Sequence, residues 1–284
     1  MEKYQEVERS IIKKFRPKIY RKFNKGVIDY QMISEGDKIA VCMSGGKDSM
    51  LLAKCMQELS AHGRVHFTCV YLVMDPGYSE KHLNELKENA RILNIPIEIF
   101  KSNIFEVVAD IEDSPCYLCA RMRRGCLYKA AKERGCNKIA LGHHFDDVVE
   151  TIMLSILYGG EYKTMMPKLH SANFPGMELI RPLYLVKEED IIAWGKYNNL
   201  KFLKCACKFT EEIDPLKEDK SKRREVKTLI KKLREIYPNI DNNIFASACN
   251  VNLGTLIGYH KGDKFTSFLD NYEEEGKEIK DETK

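Results

Sequence analysis

The chain has 284 residues, of which 44% are hydrophobic and 31% charged, a balance that supports a sizeable folded core and excludes a fibrous or wholly disordered protein. Formal net charge is +4, from 46 basic and 42 acidic residues, so the sum neither demands nor excludes a nucleic-acid partner. No apolar run reaches the ~18 residues of a membrane helix, and Met1-Glu2-Lys3-Tyr4-Gln5-Glu6 has no apolar signal core, so a cytoplasmic protein without a membrane partner is expected.

Residues 1–35 read as a basic helical region, with Ile11, Ile12, Phe15, Ile19, Tyr20 and Phe23 at helical spacing. From Asp37 onward strands and helices alternate. Strands are expected at 38–43, 66–74, 97–100 and 138–141, and helices at 49–59, 80–93, 121–134 and about 146–157. Strands apolar on both faces, alternating with helices, specify an α/β fold: a parallel sheet with helices on both faces, running over 36–205. The stretch 206–260 reads as a helical, basic C-terminal region, and 261–284 as a polar, disordered tail. Basic clusters recur at Lys13 to Lys22, at Arg121 to Arg124 and at Lys220 to Lys232.

Ligands of a parallel sheet bind at the carboxyl ends of its strands. After the first strand comes Ser44-Gly45-Gly46-Lys47-Asp48-Ser49, directly before a helix. A glycine pair there lets backbone N–H groups and the positive end of the helix dipole face a phosphate. Ser44 and Ser49 add hydroxyl donors, and Lys47 adds a mobile charge. The spacing is not that of the Walker loop. Asp75 follows the second strand, and Gly142-His143-His144-Phe145-Asp146-Asp147 follows the fourth. The aspartate pair at a helix start admits two readings, helix capping and hard oxygen ligation of Mg²⁺. One of His143 and His144 is expected to face a ligand, and Gly142 with it.

Ten cysteines in a reducing compartment do not form a disulfide framework. Cys42, Cys55, Cys69 and Cys136, in apolar or helical stretches, read as buried small hydrophobes. Cys116 and Cys119 form a C-x-x-C pair, and the downstream candidates are Cys205 and Cys207. Three thiolates can hold a 4Fe-4S cluster with one iron left open.

The Ser-Gly-Gly-Lys-Asp-Ser loop resembles the PP-loop of ATP pyrophosphatases of the adenine nucleotide α-hydrolase type. With Cys116-x-x-Cys119, Leu141 to Asp147, Tyr158-Gly159-Gly160, Pro167-Lys168-Leu169, Arg181-Pro182-Leu183 and Tyr237-Pro238, the order resembles the tRNA 2-thiocytidine synthetase (TtcA) family over about residues 10 to 258. That resemblance implies ATP, Mg²⁺ and a 4Fe-4S cluster as cofactors. It implies transfer of sulfur to a cytidine of the tRNA anticodon loop. The implied cluster ligands are Cys116, Cys119 and Cys205, with Cys207 the alternative third ligand. Implied catalytic residues are Lys47, Asp48, Asp146 and Asp147. Those implied to bind the nucleotide are Ser44, Gly45, Gly46, Lys47, Asp48, Ser49, Asp75, Gly142 and His143. The partners are tRNA, gripped by the basic surface of the N-terminal helix, Arg121 to Arg124 and the helix around Arg223 to Lys232, and a sulfur donor, either a cysteine desulfurase or inorganic sulfide; a homodimer is allowed. Tyr158, Tyr162 and Met165 to Pro167 are candidates for reading the base. A thiouridine-type thiolase, a lysidine-forming ligase and a non-catalytic nucleotide-binding module are the rival readings.

Overall fold

The computed structural model describes residues 2–102, 104, 115–203, 222–270 and 272. Its centre is a six-stranded sheet of β1 (Lys38–Met43), β2 (Thr68–Asp75), β3 (Ile97–Lys101), β4 (Lys138–Ala140), β5 (Lys168–His170) and β6 (Glu178–Ile180), ordered β3-β2-β1-β4-β6-β5. Five strands are parallel, and β5 runs antiparallel to β6 at one edge. The order reverses at β1, between β2 and β4, which opens a crevice beyond the carboxyl end of β1.

Alternation along β1 divides its side chains between two cores. Ile39, Val41 and Met43 join the larger core beneath α3 (Lys47–His62), with Leu51, Leu52, Cys55 and Met56 from that helix. Ala40 and Cys42 face the other way, with Tyr128, Ala131 and Ile139, beneath α5 (Pro115–Glu133). The cysteines read as small hydrophobes fit this: Cys42, Cys55 and Cys136 are buried, and Cys69 is half-buried.

The N-terminal region comprises α1 (Lys3–Ile12), a π-turn (Arg16–Tyr20) and α2 (Arg21–Asp29), rather than one helix. Pro17 has no N–H to donate, and the π-turn takes up the break. Val7, Ile11, Phe15, Ile19 and Phe23 are buried in the larger core. Lys54 of α3 is fully buried and binds Glu8 Oε1 at 2.6 Å, Gln57 Oε1 at 2.7 Å and the Leu93 carbonyl at 2.9 Å, fastening α1 to the domain.

Helix α4 (Glu80–Ile92) follows β2, α6 (Phe145–Gly159) follows β4, and α7 (Glu188–Tyr197) follows β6. The C-terminal helices α8 (Lys222–Ile236) and α9 (Ile240–Ser247) dock on α6 through Phe145, Val149, Val226, Ile230, Ile244 and Phe245. Beyond them lies a hairpin of β7 (Gly258–Lys261) and β8 (Lys264–Ser267). It enters the stretch expected to be a disordered tail from residue 261. The overlooked signal is the two-residue Gly262-Asp263 loop between short aromatic-containing runs, which closes a hairpin despite the polar composition. Among the described residues no helix is long and apolar enough to cross a membrane.

Candidate nucleotide site

The Ser44 to Ser49 loop leaves β1 and enters α3, with Gly46 as its N-cap. Gly45 adopts φ +80°, where a side chain is strained. Ser44 N–H donates to Ser49 Oγ at 3.2 Å, and Ser49 Oγ donates to the Gly46 carbonyl at 3.0 Å. The loop is therefore closed on itself, leaving the α3 N-terminus toward the crevice. Gly142 packs against it from β4: a Cβ there would lie 3.2 Å from the Asp48 carbonyl carbon and from Ser49 N.

A cleft of about 400 Å³ opens at this point, lined by Ser44, Asp48, Ser49, Gly142, His143 and Asp147. Two of the three strand-end motifs, about a hundred residues apart in sequence, thus meet as the strand-end rule expects, and Asp75, expected with them, does not line the cleft. Tyr78, Arg123 and Arg124, not singled out for the nucleotide, line the same cleft. Asp75 works one step back: its Oδ1 accepts from Gly77 N–H at 2.9 Å and Tyr78 N–H at 2.8 Å, shaping the loop that presents Tyr78.

The carboxylates divide into different environments. Asp48 Oδ1 is buried and has no hydrogen-bond partner, an oxygen open to a cation. Asp147 lines the cleft while accepting His144 N–H at 3.0 Å and Arg223 Nη2 at 2.7 Å. With the His144 side chain it completes a capping box at the start of α6, so the capping reading holds alongside any cation role. Asp146 points away from the cleft: Oδ2 accepts Glu188 N–H at 2.7 Å and Oδ1 accepts Arg234 Nη2 at 2.6 Å. It joins α6 to α7 and α8. Among the described residues no three His, Cys, Asp or Glu side chains group as a metal centre.

Lys47 also faces away, pairing with Asp48 at 3.1 Å and with Glu188 Oε1 at 3.0 Å. Burial disfavours its charge, but Asp48 and Glu188 outweigh that and raise its pKa. Burial would likewise raise Glu188, yet Lys227 and Lys47 hold its carboxyl at about 2. No sequence spacing could have flagged Glu188, because its partners come from α3, α6 and α8. The α8 cluster read as tRNA-binding is partly committed: Arg223 also binds Glu150 at 2.8 Å, and Lys227 binds Glu188 at 2.6 Å. Tyr158 is tied to Glu225, and Tyr162 to Ser247 at 2.7 Å, so the two tyrosines among the candidate base readers are held by the C-terminal helices.

The PP-loop domain family matches residues 14–210. The tRNA-cytidine(32) 2-sulfurtransferase of Aeromonas salmonicida (strain A449) is 33% identical over 268 residues, covering 88% of this chain and 86% of that one. Its namesake from Alcanivorax borkumensis is 35% identical over 248 residues, covering 86% and 84%. The chain belongs to the tRNA-cytidine(32) 2-sulfurtransferase family. Among solved structures, the U34-tRNA thiolase NcsA from Methanococcus maripaludis, determined with its [4Fe-4S] cluster, superposes at a TM-score of 0.63 and 20% identity. That match covers 80% of this chain and 76% of NcsA, and establishes the shared fold.

For this sulfurtransferase-family chain, Cys116 and Cys119 fall in the first turns of α5, which starts at Pro115; their side chains lie outside the described residues. Cys205 and Cys207 lie outside them altogether. Two residues before Cys205, Leu203 donates its N–H to the Gly45 carbonyl at 3.3 Å. The chain thus reaches the phosphate loop just before the third cysteine, while the helix carrying the first two supplies Arg123 and Arg124 to the cleft.

His143 carries a pH signature. Burial, then the Arg181 guanidinium, push its imidazole down to about 4. It is neutral in the fold at neutral pH, and its Nδ1 is buried without a partner. Below the ordinary histidine value near 6.5, the unfolded chain takes up a proton that the fold refuses. Stability is therefore lost as pH falls from about 6.5 to about 4, by up to roughly 3 kcal/mol. Urea titrations at pH 7 and pH 5 should show a smaller difference for His143→Gln than for the wild type; an equal difference contradicts the assignment.

Proposed function

We propose that this chain is an ATP-dependent tRNA sulfurtransferase of the cytoplasm that converts cytidine 32 of the anticodon loop to 2-thiocytidine. The observation that carries the reading is the meeting, in one cleft, of the glycine loop, the Gly142-His143 turn and the helix of Cys116 and Cys119. Family membership supplies the base.

ATP would lie with its phosphates against Ser44, Ser49 and the α3 N-terminus, where N–H groups and the helix dipole favour negative charge. The C2 oxygen of cytosine attacks the α-phosphorus and pyrophosphate leaves, turning a poor leaving oxygen into AMP. Arg123 and Arg124 face the charge that develops on the departing pyrophosphate. Asp48, with its unpartnered buried oxygen, and Asp147 are the fitting ligands for Mg²⁺. Asp146 is assigned to positioning, because both its oxygens are engaged away from the cleft. Lys47 reaches the phosphates only on leaving Glu188, so it acts as a mobile charge released when ATP enters.

Cys116, Cys119 and Cys205 would hold a 4Fe-4S cluster, whose chemistry is to present sulfur beside the activated carbon. Sulfur replaces oxygen on C2 and AMP departs. The donor is a cysteine desulfurase or sulfide. The exposed cations of α1 and of α8 outside its ion pairs would hold the tRNA phosphates, an affinity that falls with salt.

Anaerobic protein given ATP, sulfide and unmodified tRNA should release AMP and pyrophosphate in equal amounts, and only when tRNA is present. Release of ADP, or turnover indifferent to RNA, would overturn the reading.

A further inference from the structure

A second cleft of about 400 Å³ lies between α5 and the loop joining β5 to β6. Arg121, Arg124 and Tyr128, at i, i+3 and i+7, form one stripe of α5 and make its near wall. Asn173 and Phe174 of the β5–β6 loop make the far wall. That loop is preformed. Ser171 N–H donates to the Met177 carbonyl at 2.9 Å, Met177 N–H to the Phe174 carbonyl at 3.1 Å, and Phe174 N–H to Ser171 Oγ at 3.2 Å. Phe174 lies nearly flat on buried Tyr128, with centroids 5.2 Å apart and planes at 17°.

Arg124 lines both this cleft and the nucleotide cleft. Arg121 and Arg124 are exposed and have no ion-pair partner among the described residues. Buried Arg181 adds to the local charge: burial, then repulsion from Arg124, bring its guanidinium down to about 10. The nearby carboxylate of Glu178, 3.5 Å from His170, is already held by Lys138 at 3.0 Å and Lys168 at 3.4 Å. The cleft therefore combines a positive rim with a half-buried aromatic floor.

A base that reaches ATP must leave its stack, and this unstacks its neighbour as well. The neighbour then needs cations for its phosphate and a flat apolar surface for its ring. We propose that the second cleft is a subsite for single-stranded RNA, holding the nucleotide next to the base that enters the ATP cleft. Arg121 takes the phosphate, Arg124 stands between this cleft and the nucleotide cleft, and Phe174 backed by Tyr128 takes the base. The assignment rests on the reading of tRNA as substrate.

The test is fluorescence anisotropy of the full chain with an anticodon stem-loop RNA, intact or abasic at either neighbour of the target cytidine. ATP affinity and 2-thiocytidine formation are measured in parallel. The double variant Arg121→Ala, Asn173→Ala should bind the intact RNA roughly tenfold more weakly, with ATP affinity unchanged. One abasic RNA should lose affinity for the wild type by roughly fivefold or more, and this loss should shrink for Phe174→Leu. Unchanged RNA affinity in the double variant overturns the inference, as does an abasic penalty equal in wild type and Phe174→Leu. If these losses appear but wild type forms no thiolated base, the subsite stands and the thiolation reading falls. If thiolation proceeds while the cleft variants bind normally, the subsite alone falls. Failure of the wild type to bind RNA overturns both.

Discussion

Gly45→Ala should raise the KM for ATP by roughly ten- to a hundredfold and bring thiolation close to background, with the sheet intact. Two costs add at this residue. At φ +80° a Cβ costs about 1–2 kcal/mol, enough to drive the loop toward another conformation. The same Cβ would lie 2.6 Å from Leu203 Cδ1 and 3.1 Å from Leu86 Cδ1. Leu203 must move that side chain to make room, and it belongs to the segment whose N–H binds the Gly45 carbonyl. Because that segment leads to Cys205, the substitution should also lower the iron content of anaerobically purified protein. Equilibrium binding of a non-hydrolysable ATP analogue and iron analysis check the two effects. Wild-type ATP affinity would mean that the loop does not cradle the phosphates.

Asp146→Asn and Asp147→Asn should fail in opposite ways. Asp146 is buried and bridges α7 and α8 through Glu188 N–H and Arg234. An amide cannot neutralise Arg234, and its NH₂ would face a donor. The expected loss is about 2–4 kcal/mol of stability in urea unfolding, with loosening of the C-terminal helices. Asp147 lines the cleft, and one of its partners, Arg223, is half exposed. Its conversion to Asn should cost only about 1 kcal/mol of stability but lower kcat by roughly a hundredfold. If Asp146→Asn lost turnover at unchanged stability, Asp146 would belong to the chemistry instead.

The strand-helix alternation and the three strand-end motifs were legible in the sequence because parallel strands leave continuous apolar runs and bind ligands at one end. That rule alone brings the Ser44 loop and the Gly142 to Asp147 turn to one cleft, while Asp75, also expected there, shapes the neighbouring Tyr78 loop instead. The roles within each motif were less legible. Asp146 and Asp147 are neighbours in sequence, yet the helical rotation between them turns one carboxylate away to Glu188 N–H and Arg234 and leaves the other lining the cleft. Lys47 reads as a phosphate ligand from its motif, but Glu188, far along the chain, holds it aside. Arg123 and Arg124 read as surface charge for RNA, and their place at the cleft depends on how α5 crosses the sheet. A polar composition concealed the β7–β8 hairpin, because short exposed strands bury too little to leave a hydrophobic pattern.

ATP activation in this cleft should end with sulfur on cytidine 32. Its most direct test is nucleoside mass spectrometry of tRNA from cells with the gene, without it, and without it but carrying the Gly45→Ala form. 2-Thiocytidine is expected in the first and its loss in the other two, with other thiolated nucleosides unchanged. Unchanged 2-thiocytidine without the gene, or loss of a thiouridine in its place, would contradict it.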